Sequence, residues 1–343
     1  MARISCRLPH PFYAAAAAGG YTTPLGRFRD TRMATPTFLS YEDAWGILSW
    51  SEAVEALRRG HLRPRAEMHD LLFGPPEGMM LSRAARIEGI GYGVKAEAVF
   101  NANASKGLPN THGAMLLYAP DTGVLRAAIE SRLITDLKTA ADSVLAATLL
   151  ARPDSRHLVL IGAGAVAGNL ARAYSALFPE LERISIWARR LDQAQALSAQ
   201  LNDMPTPVAA AADLATALAC ADIVSTATMA RQPVLHGAWI RPGTHVDLVG
   251  AFTADMREAD DALIASARLY VDSRETTRHI GEIASPIAAG AVPASHVLGD
   301  LYDLIASGTQ AVRAPACITA FKNGGGAHLD LMIADRLLEK LGR

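Results

Sequence analysis

The stretch His157-Leu158-Val159-Leu160-Ile161-Gly162-Ala163-Gly164-Ala165-Val166-Ala167 decides the fold of this 343-residue chain. Its apolar run is typical of a parallel strand that is buried on both faces. Gly162 allows a tight turn, Gly164 lets the backbone approach a diphosphate, and Ala167 takes the third small position. A helix beginning near Ala165 would point its free N–H groups at that anion. The pattern predicts a Rossmann unit that binds a dinucleotide over residues 162–167; the alternative is a glycine-rich connection in an unrelated α/β domain.

The segments on either side of this stretch have different patterns of predicted secondary structure. After it, strand and helix patterns alternate, as a parallel sheet requires. Before it, a helix over 41–59 with Ser51 as its N-cap leads into short strand-like runs between Gly78 and Tyr118, and then into a long helix over 135–151. A strand at 318–321 and a helix at 329–341 end the chain.

These patterns predict an α/β protein in which a doubly wound, parallel-sheet Rossmann domain is inserted in an α+β domain. We assign residues 144–311 to the Rossmann domain. Residues 33–143 plus 312–343 form the α+β domain, because we expect the tail to pack back on it. Residues 1–32 hold five arginines and one acid. A targeting peptide has that composition, but we interpret the segment as a disordered extension before Met33.

Composition and charge argue against several classes of partner. The 33 basic and 34 acidic side chains give no electrostatic reason to bind nucleic acid or an acidic membrane surface. No apolar run approaches the ~20 residues that span a bilayer. Cys6, Cys220 and Cys317 form neither a CxxC pair nor a zinc spacing, which favours reduced thiols in a cytoplasmic protein. No histidine–carboxylate set has metal-ligand spacing, so we expect no metal.

The end of the second Rossmann strand bears on the choice of cofactor, since NAD enzymes usually place an acid there for the ribose 2′-hydroxyl. This chain reads Ile186-Trp187-Ala188-Arg189-Arg190, with no acid until Asp192. Because arginines can grip a 2′-phosphate, Arg189 and Arg190 favour NADPH over NADH; the alternative is that both are solvated loop charges. Thr226 and Thr228, which follow a later strand, are further candidate cofactor contacts.

Further segments stand in a specific order along the chain. They are Gly93-Val94-Lys95, Lys106-Gly107-Leu108-Pro109, Thr135-Asp136-Leu137-Lys138-Thr139-Ala140-Ala141, Ile186-Trp187-Ala188-Arg189, Val249-Gly250-Ala251-Phe252 with Arg257-Glu258, Tyr270-Val271-Asp272-Ser273 and Phe321-Lys322-Asn323. With the Gly162 loop, they make the chain resemble the ornithine cyclodeaminase/mu-crystallin family from Met33 onward. The resemblance implies a substrate and dimerisation domain, an inserted Rossmann domain, a homodimer, and a tightly held NAD(P) that serves reactions of small amino or imino acids.

The resemblance also implies three site residues that carry positive charge. Lys95 matches the family's active-site lysine and is a candidate proton relay, although by spacing alone it could be a surface lysine on an alternating strand. Arg65 matches an arginine that helps hold the substrate carboxylate, with Arg63 as a rival. Lys138 stands where most members have an arginine, a change that keeps the charge but loses the bidentate fork.

The fourth residue, Phe252, stands where cyclodeaminases carry an acid close to the substrate amine. An aromatic side chain cannot take a proton, but it can form an apolar wall beside a ring, which resembles the ketimine-reductase branch. Asp255 is a weak substitute, because it lies three positions further on. We expect His112 to be structural, and His328 and Asp330 to cap the last helix without a catalytic role.

The sequence and the resemblance together predict NADPH-dependent reduction of a small cyclic ketimine acid. The substrate would be pyrroline-2-carboxylate or piperideine-2-carboxylate, and the product the cyclic L-amino acid. Three alternatives stay open. They are an amino-acid dehydrogenase or a reductase that forms N-alkyl amino acids, an ornithine cyclodeaminase, and a non-catalytic, NADPH-dependent binding protein of the crystallin type.

Overall fold

The computed structural model of the chain describes residues 35–308 and 316–343. The expectations for residues 1–32, for Cys6 and for the domain boundary at 311/312 therefore lie outside the described residues. None of the described helices has the length and the apolar character that crossing a bilayer requires.

A six-stranded mixed sheet forms the first half of the described chain. Its strands are β1 (Thr37–Leu39), β2 (Glu67–Phe73), β3 (Met79–Ile87), β4 (Gly91–Val99), β5 (Thr111–Tyr118) and β6 (Leu125–Glu130). They lie in the order β1-β6-β5-β4-β3-β2, with β1 parallel to β6 and every other pair antiparallel. The helices of this part are α1 (Tyr41–Ala44), α2 (Trp50–His61) and α3 (Ser131–Leu150), with a 3-10 helix at Asn101–Lys106.

The start of α2 corrects one prediction. Ser49, not Ser51, is the N-cap: its hydroxyl accepts the N–H of Glu52, and the Glu52 carboxylate accepts the N–H of Ser49 in return. This reciprocal pair is a capping box, which satisfies two N–H groups that the first turn leaves unpaired. The helix therefore begins at Trp50, and Ser51 lies in its first turn.

An eight-stranded sheet, parallel throughout, forms the second half. Its strands are β7 (His157–Ile161), β8 (Arg183–Trp187), β9 (Val208–Ala210), β10 (Ile223–Thr226), β11 (His245–Leu248), β12 (Arg268–Val271), β13 (Val297–Asp300) and β14 (Thr319–Lys322). They lie in the order β13-β12-β14-β11-β10-β7-β8-β9. The accompanying helices are α4 (Ala165–Leu177), α5 (Leu191–Gln200), α6 (Leu214–Leu218), α7 (Asp261–Ser266), α8 (Arg274–Thr277), α9 (Gly281–Ala288), α10 (Leu301–Ser307) and α11 (Ala327–Lys340), with 3-10 turns at Gly237–Trp239 and Ala294–His296.

The predicted fold class, a Rossmann domain with a second α+β domain, is confirmed. Strand β7 is buried along its whole length, as its apolar run predicts. It lies between β8 and β10, so the direction in which strands are added to the sheet reverses at this point. In open α/β sheets, ligands bind in the crevice beside the carboxyl ends of the strands at such a reversal.

The assignment of residues 312–343 to the first domain is wrong for one element. Strand β14 lies inside the parallel sheet, between β11 and β12, and all four of its residues are buried. A short strand buried on both faces is more stable within a parallel sheet than at a domain surface. Only α11 returns to the first sheet, where it packs against α2, α3 and strands β2 to β5. Helix α3 contacts both halves, so the expected boundary at 143/144 falls inside it.

Candidate functional site

The loop after β7 has the shape that a dinucleotide diphosphate needs. Gly162 has a φ of 124°, and a Cβ at this position would collide with the carbonyl oxygen of Ala227. Around Gly164 the space is open, with no described atom within 4 Å of an added Cβ. Helix α4 begins at the next residue without a side-chain cap, so its first N–H groups remain available to an anion. Ala167 is fully buried and packs the helix on the sheet. The residues present therefore fit a bound dinucleotide.

Arg189 and Arg190 follow β8 at the same edge of the sheet. Both are exposed, and neither side chain has a hydrogen bond or an ion pair within the described parts of the chain. Because β8 lies parallel to β7 and directly beside it, both arginines follow the strand next to the Gly162 loop. They are thus available to a phosphate on the adenosine side of the cofactor.

The hydroxyls of Thr226, which ends β10, and of Thr228 are both occupied within the protein. Thr226 is fully buried, and its hydroxyl donates to Glu258 Oε2 at 2.7 Å. The backbone N–H and the hydroxyl of Thr228 both donate to Glu258 Oε1, at 2.7 and 2.8 Å. The N–H of Gly250 donates to the same carboxylate at 2.6 Å. Glu258 therefore ties together the loops after β10 and β11 and occupies both threonine hydroxyls, while cofactor contacts of Thr226 and Thr228 stay a prediction.

A cleft of about 560 Å³ lies between the first sheet, α3 and the loops after β11 and β14. Lys95, Lys138 and Phe252 all line it, so the structure brings these three predicted residues together. Arg83, which the sequence analysis did not single out, lines it too. No group of histidine, cysteine, aspartate or glutamate in the described ranges could hold a metal ion.

Lys95 lies on the inner face of β4 and is buried. Its Nζ donates to Thr135 Oγ1 at 3.0 Å and to Asp330 Oδ1 at 3.2 Å, and lies 3.5 Å from Glu97 Oε2. Strand alternation places Glu97 on the same face. This lysine is therefore fixed inside the cleft, and its interpretation as a surface residue does not hold.

Asp330 corrects a second prediction, because it does not cap the last helix. Its backbone lies inside α11, whose N-cap Gly326 has no side-chain cap. Burial alone would raise the pKa of the Asp330 carboxyl, but the nearby Lys95 and Lys138 hold that pKa below its usual value. The carboxylate therefore stays charged and anchors Lys95.

Lys138 projects from α3 into the same cleft. Burial is the main cause that lowers its pKa, and the cations Lys95 and Arg83 lower it further, while Asp330 opposes them. Its Nζ has no hydrogen-bond partner among the described residues, although it lies against Gly325. Lys138 is thus a donor that a bound anion can use.

Arg65 lies outside the cleft, contrary to expectation. Its guanidinium binds both oxygens of Asp300, at 2.7 and 3.1 Å, and Asp303 Oδ1 at 2.9 Å. It also stacks over the Tyr302 ring, with 4.7 Å between Cζ and the ring centroid. The rival Arg63 donates to the Glu88 carbonyl and does not line the cleft either. Neither arginine is therefore placed to hold a ligand in the cleft.

Phe252 is 54% exposed and lies on the cleft wall with Val249. The nearest acid along the chain, Asp255, accepts a hydrogen bond from the Thr253 hydroxyl and pairs with Arg231. His328 is buried beside His61 and Tyr302 and does not line the cleft. The wall at Phe252 is apolar, and Asp255 does not supply the missing carboxylate.

Comparisons with known proteins identify the family of the chain. The model of the ornithine cyclodeaminase/mu-crystallin family matches residues 77–342. A Δ1-pyrroline-2-carboxylate reductase of Paracoccus denitrificans is 60% identical over 304 residues, which cover 88% of this chain and 96% of the relative.

Two solved structures share the fold over most of their length. The Δ1-pyrroline-2-carboxylate reductase of Thermococcus litoralis, in complex with NADH and L-proline, is 28% identical with a TM-score of 0.83, and the match covers 89% of this chain and 97% of that one. An archaeal alanine dehydrogenase dimer with bound NAD is 26% identical with a TM-score of 0.82, and covers 89% and 95%. The resemblance noted in the sequence is confirmed: the chain belongs to the ornithine cyclodeaminase/mu-crystallin family.

Proposed function

We propose that this chain is an oxidoreductase that uses NADPH to reduce the C=N bond of a small cyclic ketimine acid. The substrate is pyrroline-2-carboxylate or piperideine-2-carboxylate, and the product is the cyclic L-amino acid. One observation carries the proposal: Lys95 and Lys138 share a cleft with Phe252, where a cyclodeaminase would need an acid. The 60% identical reductase of Paracoccus denitrificans supports the same substrate class.

The cleft can bind and orient such a substrate. Its carboxylate is held by the Lys138 amine, which lacks a partner among the described residues, and this contact fixes the adjacent imine carbon. Phe252 and Val249 then cover the apolar ring carbons. Because the imine carbon is already fixed when the reaction begins, little further entropy is lost on reaching the transition state. This positioning accounts for much of the expected acceleration.

Lys95 supplies the proton that the ring nitrogen needs during the reduction. The imine must be protonated as its carbon accepts the hydride that bound NADPH supplies. Lys95 Nζ points into the cleft and is oriented by Thr135 and Asp330. A charged amine in this position delivers a proton to the ring nitrogen or keeps it protonated, and a proton-transfer group of this kind contributes about 10²- to 10⁴-fold.

The choice of NADPH rests on Arg189 and Arg190. Both are exposed after the strand beside the Gly162 loop, and the sequence has no acid between Trp187 and Asp192. The solved relatives hold NADH and NAD, so the two cofactors need a direct comparison. Replacing both arginines by alanine is expected to weaken NADPH at least 100-fold, because each charged hydrogen bond contributes roughly 1.5–3 kcal/mol and about 1.4 kcal/mol is a factor of ten. NADH binding, followed by the same fluorescence titration, should not change.

A substrate panel tests the proposal as a whole. Oxidation of NADPH and NADH is measured with pyrroline-2-carboxylate, piperideine-2-carboxylate, pyruvate plus ammonia, and pyruvate plus methylamine. Turnover only with pyruvate and an amine would identify an amino-acid dehydrogenase or an N-alkylating reductase, and the alanine dehydrogenase fold makes this the second candidate. No oxidation with any substrate would favour a binding protein, and ammonia release from ornithine without reductant would indicate a cyclodeaminase.

The proposal includes a cytoplasmic homodimer formed through the first sheet. Strand β2 is an edge strand on which Leu71, Leu72 and Phe73 are each more than half exposed. An apolar sheet edge of this kind favours pairing with another chain. Light scattering should give twice the chain mass for the wild type, and Leu72→Lys should shift the protein towards monomer. A wild-type monomer would contradict this assembly.

A further inference from the structure

We infer that Arg83 is a substrate-binding residue, and that its Nη1 forms a two-point clamp for the substrate carboxylate with Lys138 Nζ. The inference rests on the proposed function, because it assigns a residue to that function's substrate. The stretch of sequence around Arg83 carries no motif that identifies it as a site residue.

The pairing of the first sheet brings Arg83 into the cleft. Arg83 on β3 is directly opposite Lys95 on β4 and opposite Asp70 on β2. Directly paired residues point to the same face of a sheet, so the three side chains form a row across it. Arg83 is only 16% exposed, and it lines the cleft together with Lys95.

The hydrogen bonds of Arg83 leave one end of the guanidinium for a ligand. Its Nε and Nη2 donate to Asp70 Oδ2 at 3.0 and 2.8 Å, and Nη2 also donates to the Gly325 carbonyl at 3.1 Å. Nη1 has no partner in the part of the chain that the structure describes. Asp70 and Gly325 therefore fix one side of the planar guanidinium, and the N–H groups of Nη1 remain available to a ligand.

Gly325 shows that Arg83 Nη1 and Lys138 Nζ approach one point. A Cβ added to Gly325 would collide with Lys138 Nζ and would lie 3.9 Å from Arg83 Nη1. Gly325 has a φ of 67°, and its lack of a side chain leaves room between the two cations. A carboxylate has two oxygens and can accept one hydrogen bond from each, which fixes both its position and its plane.

The charges around the clamp favour an anion. Asp70, the partner of Arg83, is 44% exposed, so water screens much of its charge. Asp330 is buried but is engaged by Lys95. The N–H groups of Arg83 Nη1 and Lys138 Nζ thus remain available to an anion on the cleft side. The clamp recognises a small carboxylate next to a ring nitrogen.

Binding of a planar substrate analogue tests the inference without turnover. Pyrrole-2-carboxylate carries the carboxylate, and neutral pyrrole-2-carboxamide has the same shape. Both are titrated calorimetrically into the NADPH-saturated enzyme. Arg83→Gln should weaken the carboxylate about 10- to 100-fold and leave the carboxamide unchanged, because a hydrogen bond to a charged group accounts for a factor of this size. Arg86→Gln is the matched control, since it removes an arginine of the same strand that pairs with a carboxylate of β2 outside the cleft, and it should change neither affinity.

The possible outcomes separate the two proposals. If Arg83→Gln weakens binding of the carboxylate and of the carboxamide equally, the role of Arg83 is structural. If Arg83→Gln binds the carboxylate as tightly as the wild type, Arg83 has no role in binding. Either result overturns the inference. If Arg83→Gln fails to fold, as judged by its unfolding midpoint, Arg83→Lys decides. Its amine cannot span Asp70 and the ligand, so about 10-fold weaker carboxylate binding is expected, and wild-type affinity overturns the inference. A wild type that binds neither analogue and does not oxidise NADPH with pyrroline-2-carboxylate refutes the proposed function itself.

Discussion

Replacing Asp330 by asparagine should weaken both the fold and the positioning of Lys95. The substitution keeps the shape of the side chain but removes a buried negative charge 3.2 Å from Lys95 Nζ. At an effective dielectric constant of about 20, this pair has a Coulomb energy of roughly 5 kcal/mol. Removing one partner of a buried pair typically costs about 3–5 kcal/mol, and asparagine still accepts one hydrogen bond. We therefore expect a loss of about 3 kcal/mol and a Tm lower by roughly 6–12 °C.

Urea unfolding measures the loss of stability in Asp330→Asn, and steady-state kinetics measures the effect of a less well positioned Lys95 on turnover. The lowered pKa of Asp330 makes its contribution fully present above the ordinary carboxyl pKa, so the difference from the variant should be constant between about pH 5 and 8. It should shrink as the pH falls below about 4, through the folded-state pKa. Turnover should fall more than NADPH affinity, because Asp330 acts through Lys95. Asp335→Asn is the control, because Asp335 lies on the same helix as Asp330 and pairs with Arg126 of β6, and it should leave turnover unchanged. Unchanged stability and unchanged turnover of Asp330→Asn would refute the reasoning.

Three further predictions follow from single contacts. Gly162→Ala places a methyl group against a backbone carbonyl and should weaken NADPH at least 10-fold in a fluorescence titration, whereas Gly168→Ala, which has room in α4, should not. Phe252→Ala should raise the KM for pyrroline-2-carboxylate about 5- to 10-fold, since it removes an apolar wall, and should leave NADPH affinity unchanged; an unaltered KM would contradict that role. Burial lowers the pKa of His61 to about 4. Only the unfolded chain takes up this proton between about pH 4 and 6.5, so the stability of the wild type relative to His61→Asn should decrease as the pH falls through that window.

The centre of the Rossmann half could be predicted closely. Strand β7 and the start of helix α4 lie where the sequence predicts them because their signals are local: a buried apolar run, a glycine turn and a helical period. The sequence also predicts strand β14, but not the sheet to which it belongs. A four-residue apolar strand fits either domain, and only its pairing with β11 and β12 shows which sheet it completes.

The site was predictable where one segment carries the information. Lys95 and Lys138 were found through motifs, and the structure brings them into one cleft. Arg83 and Asp330 were missed because their roles depend on pairing across the chain. Arg83 is identified by the register of β3 against β4. Asp330 is 235 residues from Lys95 in sequence, and nothing local distinguishes it from a helix cap.

Arg65 shows the opposite case, because its guanidinium is occupied within the protein. It fits a motif position, but the sequence gives no sign that Asp300 and Asp303 occupy its guanidinium. Thr226 is similar, since its hydroxyl is taken by Glu258, a residue 32 positions away. Buried acids satisfy nearby donors wherever the fold brings them together, so a polar residue at a strand end can serve the protein rather than the ligand.

The most direct test of the central claim compares the wild type with Lys95→Met. Oxidation of NADPH is measured with pyrroline-2-carboxylate, and NADPH binding is measured separately by fluorescence. We expect turnover by the wild type, none above background by Lys95→Met, and near-normal NADPH affinity in both. Lys106→Met removes an exposed lysine of the Asn101–Lys106 turn and should behave as the wild type. Equal turnover by the wild type and Lys95→Met would remove Lys95 from the reaction, and no turnover by the wild type would contradict the proposed reduction itself.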